Sequence, residues 1–165
     1  MAAKEREAQL DAVGLDGDPE ILEQARRKVG RAGLAVHFDE GLSFEVPYED
    51  HSFDRVFSTL FFHHLTTADK QRTFGEIARV LRPGGELHIA DFGPAADPLM
   101  RALFWPVRLI DGLEQTRANA AGALPELIGA AGLAAVSETD RLRTAFGTLV
   151  LYRAARPAPV RSPDG

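Results

Sequence analysis

Short strand-like runs alternate with helix-like runs along most of this chain. The first pair is the apolar run at residues 12–15 and the helix start that follows it, where Asp18, Pro19 and Glu20 supply an N-cap carboxylate, a proline and an acid. Further strand-like runs lie at residues 35–38, 53–60, 86–90, 134–138 and 148–153. This alternation is typical of βαβ units, and it predicts an α/β fold around a mainly parallel sheet.

Helix boundaries between the later strands can also be predicted. Thr66 and Asp69 form a pair like a capping box before a helix, and the turn RPGG at residues 82–85 ends that helix. The glycines of this turn serve unusual backbone angles rather than phosphate binding, because no helix follows them. Residues 125–131 have the pattern of a short helix closed by Gly132.

Length and charge limit the organisation of the chain and its partners. A chain of 165 residues is within the usual size of one domain, so we predict a domain at residues 1–155 and a proline-rich, disordered tail at 156–165. The net charge of −5 gives no electrostatic footprint for nucleic acid, which we exclude as a main partner. The absence of cysteine excludes disulfides, thiolate metal sites and a cysteine nucleophile.

The sequence has no feature of a secreted or membrane-spanning chain. Residues 1–12 are charged and lack the apolar segment of a signal peptide, and no run of about 18 uncharged apolar residues is present. We therefore expect a cytoplasmic location without stable membrane insertion.

Candidate binding residues follow the strands, because open α/β sheets bind ligands outside the carboxyl ends of their strands. Asp16 comes directly after the first strand-like run, where a carboxylate can accept hydrogen bonds from a ribose diol. Gly14 and Gly17 would leave room for the sugar. Asp16 could equally cap the following helix, and spacing alone does not separate the two roles, whereas Asp18 is placed as the cap.

Two adjacent histidines, His63 and His64, follow the strand at 53–60. We expect no metal site, because adjacent side chains of a strand point in different directions and no second cluster has ligand spacing. One ring is expected to pack or to bind backbone, and the other to face a cleft, where it could act as a general base. Asp91, after the strand at 86–90, is a further pocket candidate, with a solvated strand end as the alternative.

Four segments together resemble a known family: GLDGDPEILEQARRK, VPYEDHSFDRVFSTLFFHHL, EIARVLRPGGELHIADFG and NAAGALPELIGAAGL. They are similar to class I S-adenosylmethionine-dependent methyltransferases, in particular the branch that methylates small molecules and includes the quinone-biosynthesis methyltransferases. The resemblance implies a Rossmann-like sheet of seven strands with helices on both faces and an antiparallel last strand. It also implies S-adenosylmethionine as cofactor and a small organic molecule as methyl acceptor.

The resemblance assigns site residues as well. The residues implied to hold the cofactor are Asp16, Gly17, Gly41, Leu42, Ser58, Thr59 and Leu60. Leu42 stands where many members carry an aspartate that meets the adenine, so apolar contact would hold that ring. The residues implied to border the acceptor are His63, His64 and Asp91, and His64 is our choice of catalytic base.

An apolar segment at residues 98–113 is expected to cover the acceptor. The face predicted to pack on the domain comprises Leu99, Leu103, Val107 and Ile110. The residues predicted to form a lid over the acceptor are Met100, Phe104 and Trp105. An ordinary buried helix interrupted at Pro106 fits the same pattern.

The family's first strand and its glycine-rich turn have no counterpart before Asp11. We therefore expect that the fold is N-terminally truncated, and that an in-frame extension encodes the missing strand. The strands at residues 12–15 and 53–60 would otherwise present unpaired edges, which direct pairing of these two strands or self-association with a partner chain could also satisfy.

The function implied by the resemblance is S-adenosylmethionine-dependent methyl transfer. A degenerate, non-catalytic binding or regulatory subunit is the alternative, because the glycine-rich cofactor turn is missing. A nicotinamide-dependent oxidoreductase is less consistent with the sequence, which lacks both G-x-G-x-x-G and a hydride-transfer pair.

Overall fold

A computed structural model describes residues 11–159 of the chain. It divides into two compact units, Met1–Pro47 and Tyr48–Gly165.

The first unit is a small βαβ element. It consists of β1 (Val13–Asp16), α1 (Pro19–Arg31) and β2 (His37–Glu40). The strands are parallel, with Val13 opposite His37. The side chain of Asp18 accepts a hydrogen bond from the backbone N–H of Glu20 at 2.8 Å, which confirms the predicted N-cap. The second strand begins two residues later than the apolar run that predicted it.

The second unit is built on a mixed sheet of four strands. These are β3 (Phe53–Thr59), β4 (Leu81–Phe92), β5 (Ala134–Thr144) and β6 (Gly147–Ala155), in the order β3-β4-β6-β5. β3 and β4 are parallel, and β6 is antiparallel to both of its neighbours. The α/β class and the antiparallel last strand are therefore confirmed.

The single seven-stranded sheet implied by the resemblance is not what residues 11–159 form. They contain six strands, two in the first unit and four in the second. Within this part of the chain β1 pairs only with β2, and β3 pairs only with β4. β3 is accordingly an edge strand, and Phe57 on it is 69% exposed.

Helices cover the four-stranded sheet. They are a 3-10 turn (Phe62–His64), α2 (Thr67–Val80), α3 (Pro98–Asp111), α4 (Leu113–Ala121) and α5 (Leu124–Ala130). The start of α2 is as predicted, because Thr66 Oγ1 accepts from the N–H of Asp69 at 3.1 Å. The core lies under these helices, and its most buried side chains are Phe62, Phe74, Leu81, Leu87, Leu124, Ile128 and Val150.

The turn at residues 82–85 has a structural role, as the sequence indicated. On β3, Phe53 pairs with Leu81 and Arg55 pairs with Glu86. Residues 82–85 therefore lie opposite a single residue of β3 and bulge out of β4. A Cβ on Gly85 would lie 3.0 Å from the carbonyl oxygen of Asp54, which makes glycine necessary at this close approach.

The buried face of α3 is rotated from the one predicted, of which only Leu103 and Val107 are half-buried. Met100 and Phe104 are buried, whereas Leu99 is 56% and Ile110 83% exposed. The Phe104 ring packs 4.7 Å from the ring of Phe92, so an aromatic contact determines which face of the helix is covered. α3 also contains Pro106 in its interior, as the sequence showed.

Arg156, the first residue of the predicted tail, forms hydrogen bonds with the rest of the second unit. The guanidinium of Arg156 donates to the carbonyl oxygens of Ala78, Arg79 and Leu81. Its backbone exchanges hydrogen bonds of 2.9 Å with residues 84 and 85. Residues 160–165 of that tail lie outside the described part of the chain.

Candidate functional site

Asp16 ends β1 in the first unit, where a ligand of an open sheet would bind. One carboxylate oxygen, Oδ1, accepts from the N–H of Asp18 at 2.9 Å, which supports the turn into α1. The other oxygen accepts no hydrogen bond from residues 11–159. The two roles considered from the sequence are therefore compatible, since one oxygen stabilises the turn and the other has no hydrogen-bond donor in the described part of the chain.

The loop after β2 lies beside Asp16. The N–H of Gly41 donates to the carbonyl oxygen of Asp16 at 3.0 Å. A Cβ on Gly17 would lie 3.3 Å from a methyl carbon of Leu42, which is itself 50% exposed. An open carboxylate oxygen next to an exposed apolar side chain fits the donor and acceptor chemistry of an adenosine group.

Gly14 does not leave room for a sugar, and that part of the prediction is wrong. A Cβ at this position would lie 2.7 Å from two ring carbons of Phe38. The space beside Gly14 is thus filled by the protein's own aromatic ring, and glycine is needed there for packing.

The predicted cofactor residues of the second unit lie where β3 ends. Ser58 and Thr59 are its last two residues, and the N–H of Leu60 continues the pairing with a 2.8 Å bond to the carbonyl of Ala90. Leu60 has a φ of 50°, a left-handed conformation that is uncommon for a residue with a branched side chain. Such strain is found at ligand-binding turns, which makes this strand end a candidate site.

Asp91 is fully buried, so the alternative of a solvated strand end is wrong. It accepts hydrogen bonds from the N–H groups of Phe61 and Phe62 at 3.0 and 2.7 Å. It also binds His63 Nδ1 at 2.7 Å and the amide of Asn119 at 3.3 Å. One carboxylate therefore fixes the turn that carries both histidines.

The two histidines take different environments, as the sequence analysis expected. His63 is 4% exposed, and its ring lies edge-on to Phe92 with centroids 5.0 Å apart. The His64 ring is half exposed and lies 4.0 Å from the His63 ring. Asp111, at the end of α3, approaches both: its carboxylate is 3.6 Å from His63 Nε2 and 3.4 Å from His64 Nδ1.

The reason given for excluding a metal does not hold in the structure. His63 and His64 belong to a 3-10 turn rather than a strand, so both rings reach one carboxylate. Their ring nitrogens and an oxygen of Asp111 lie within 4.8 Å of one another, a spacing that a divalent cation can bridge. The absence of a metal stays a prediction.

Burial lowers the pKa of His64 below its usual value of 6.5, and the neighbouring His63 lowers it further. The charges of Asp111 and Asp91 oppose this effect. A half-exposed imidazole that is neutral near pH 7 can accept a proton from a bound molecule.

Lys70 is a member of this region that the sequence did not reveal. Its ammonium is fully buried and donates to the carbonyl oxygens of Leu65 and Gln115, the latter at 2.6 Å. Burial lowers the pKa of Lys70 to about 8. The side chain thereby ties the end of the histidine turn to α4.

Comparisons with known proteins identify the family. A family model described as "Methyltransferase domain" matches residues 2–89, more than half of the chain. The chain belongs to this family. A demethylmenaquinone methyltransferase of Deinococcus radiodurans is 42% identical to this methyltransferase domain over 101 residues, which are 61% of this chain and 41% of the relative.

Solved structures show the same fold at lower identity. The YcgJ protein from Bacillus subtilis superimposes with a TM-score of 0.72 at 16% identity, covering 89% of this chain and 82% of its own. A SAM-dependent methyltransferase from Methanosarcina mazei gives 0.66 at 16% identity, with coverages of 96% and 87%. These likenesses confirm the class I methyltransferase fold.

The methyltransferase domain spans about two fifths of the length of the curated relatives it matches. Over residues 11–159, none of the helices has the length and apolar character needed to cross a bilayer.

Proposed function

We propose that this methyltransferase domain takes part in S-adenosylmethionine-dependent methyl transfer to a small organic acceptor. The observation that carries the proposal is Asp16, which presents an unused carboxylate oxygen at the carboxyl end of β1. A ribose diol is the part of the cofactor that such an acceptor would bind. Membership of the methyltransferase family supports this choice of ligand.

The remaining cofactor contacts are proposed by position. In the first unit, Gly17, Gly41 and Leu42 surround the loop next to Asp16, and exposed Leu42 would contact the adenine. Ser58, Thr59 and Leu60 would contribute through the strained end of β3. When bound, S-adenosylmethionine supplies a methyl group carried on a sulfonium.

His64 is the proposed base for the acceptor. Its neutral ring would take a proton from an acceptor hydroxyl or acidic carbon, and the carboxylate of Asp111, 3.4 Å away, would stabilise the resulting imidazolium. Asp91 acts through His63 and the turn, and does not touch the acceptor, because it is fully buried. The relative named demethylmenaquinone methyltransferase supports an aromatic, quinol-like acceptor.

The Trp105 ring, which is 49% exposed on α3, is the part of the predicted lid that remains available to an acceptor. Phe104 would form a wall of the same pocket, since it is buried. We also propose a cytoplasmic location, which follows from the sequence.

A non-catalytic binding subunit is the second candidate function. In that case the fold would bind a ligand without transferring a methyl group.

Calorimetric titration of the full chain with S-adenosylmethionine and S-adenosylhomocysteine tests the proposal. We expect saturable binding that Asp16→Ala weakens by about tenfold or more, because a charge-assisted acceptor is lost. Asp11→Ala, an exposed acid before β1, is the matched control and should bind normally. Binding without transfer of labelled methyl to a reduced naphthoquinone would favour the second function, and no binding would overturn both.

A further inference from the structure

A cavity of about 280 Å³ lies beside α3 in the second unit. Its lining residues are Pro94, Ala95, Arg101, Phe104, Arg108 and Ala120. Arg101, Phe104 and Arg108 have the spacing i, i+3 and i+7, so one face of the helix presents an aromatic ring between two guanidinium groups.

The charges of the two arginines are not paired with an acid in the described part of the chain. Neither Arg101 nor Arg108 forms an ion pair with a carboxylate anywhere in residues 11–159. By contrast, Arg79, Arg82, Arg141, Arg143 and Arg153 each pair with an aspartate or glutamate. The cavity therefore has two uncompensated positive charges in its wall.

Arg108 is also held in place. Its guanidinium lies 5.4 Å from the centre of the Trp105 ring, and its Nε donates to Thr116 Oγ1 at 3.4 Å. The hydroxyl of Thr116 in turn donates to the carbonyl of Gly112 at 2.8 Å, and Thr116 is fully buried. An arginine fixed in this way loses little conformational freedom when it binds an oxyanion.

Two acids at the ends of α3, Asp97 and Asp111, already have partners outside the cavity. Asp97 caps α3 through the N–H of Met100 and pairs with Arg143 at 2.9 Å. Asp111 faces the two histidines. The positive charges of the cavity are thus available to a ligand.

Aromatic contacts connect the cavity to the histidine turn. Phe104 packs on Phe92 at 4.7 Å, and Phe92 lies 5.0 Å from the ring of His63. A molecule in the cavity would have a ring against Phe104 and a charged group on the arginines, and the rings of Phe104 and Phe92 connect its wall to His63.

We propose that this cavity binds a small aromatic anion through Arg101 and Arg108. The ligand class is a flat ring bearing one carboxylate or phosphate group. That this anion is the methyl acceptor rests on the proposed function, whereas its binding does not.

Binding can be measured directly, because Trp105 is the only tryptophan and Arg108 lies over its ring. The probes are 4-methylbenzoate, 4-methylphenyl phosphate and the neutral 4-methylbenzamide, followed by tryptophan fluorescence and calorimetry on the full chain. We expect saturable binding of at least one anion, about tenfold tighter than the amide, because the amide lacks the charge that the arginines recognise. The better of the two anions identifies the charged group.

Variants test whether the two arginines are responsible. Arg101→Gln and Arg108→Gln should each weaken anion binding by about tenfold, and the amide should be unaffected. Arg117→Gln, on the exposed side of α4 and outside the cavity, is the matched control and should bind as the wild type does. Thermal unfolding checks that exposed Arg101 can be replaced without loss of the fold.

Three results would overturn the proposal: no saturable binding of either anion, equal binding of the amide, or an equal loss in the Arg117 variant. Titration of the same proteins with S-adenosylmethionine separates this outcome from failure of the proposed function. Anion binding without cofactor binding would retain the cavity site and reject methyl transfer. Cofactor binding without anion binding would reject the cavity site and retain the proposed function.

Discussion

His63 Nδ1 lies 2.7 Å from a carboxylate oxygen of Asp91, and both side chains are almost completely buried. The same carboxylate accepts the N–H groups of Phe61 and Phe62. The turn at residues 61–64 and the orientation of the His63 ring therefore depend on the carboxylate of Asp91 at the end of β4.

Removing the negative charge of Asp91 should destabilise the folded protein. We expect Asp91→Asn to lower the free energy of unfolding by about 2–4 kcal/mol, because several buried donors lose a charged acceptor. Asp54→Asn, which removes an exposed partner of Arg82, should cost less than about 1 kcal/mol. Urea unfolding of both variants measures the difference, and equal losses would contradict the anchoring role.

The lowered pKa of His64 should make the stability of the fold depend on pH in the acidic range. Since burial lowers its pKa in the folded protein, the unfolded chain binds the proton more readily below pH 6.5. The contribution of His64 to stability is therefore present above pH 6.5 and is lost as the pH falls through the lowered pKa. Asp111→Asn should lower the pKa of His64 further, because Asp111 opposes the shift; histidine NMR measures this, and a rise would contradict it.

The buried Lys70 should make the free energy of unfolding depend on pH in the alkaline range. Its folded pKa of about 8 is below the ordinary 10.5, so the unfolded state binds more protons between these values. The stability of the wild type relative to Lys70→Met should rise by as much as about 3 kcal/mol from pH 8 to 10.5. Lys28→Met, at an exposed position of α1, should show no such trend in urea unfolding.

Replacement by alanine should have opposite effects on stability at two glycines. Gly147 has a φ of 125°, and a Cβ there would lie 2.9 Å from Phe104 Cβ, so Gly147→Ala should destabilise by about 1–3 kcal/mol. Gly75 lies inside α2 with nothing within 4 Å of a Cβ, and its replacement should stabilise by about 0.5–1 kcal/mol. Thermal unfolding that gave both variants the same sign would be inconsistent with this packing.

The histidine cluster should not retain zinc. The ammonium of Lys70 is close enough to lower the pKa of His64, and the same positive charge disfavours a dication on His63, His64 and Asp111. Calorimetric titration with zinc should show no saturable site at micromolar concentration. Tight binding that Asp111→Asn abolishes would establish a metal site instead.

Local features of the fold could be predicted from local sequence. Asp18 and Thr66 act as helix caps because the groups they bind are two or three residues away. The burial of Asp91 could not be predicted in this way, since its donors come from residues about thirty positions earlier.

The same limit applies to α3 and α4. Apolar residues occur on both faces of α3, so the pattern alone did not distinguish the face that packs on Phe92. α4 has no clear apolar stripe, and its buried side chains include the polar Thr116 and Asn119. Such a helix is held by specific hydrogen bonds, which sequence periodicity does not reveal.

Pro106 has a consequence for the motion of α3. Proline has no N–H, so the carbonyl of Ala102 lacks its usual helical partner, between the turn that bears Arg101 and the turn that bears Arg108. A bend at this point breaks one helical hydrogen bond fewer than a bend elsewhere in α3. Such a bend would change the separation of the Arg101 and Arg108 guanidinium groups, and with it the width of the cavity that they line.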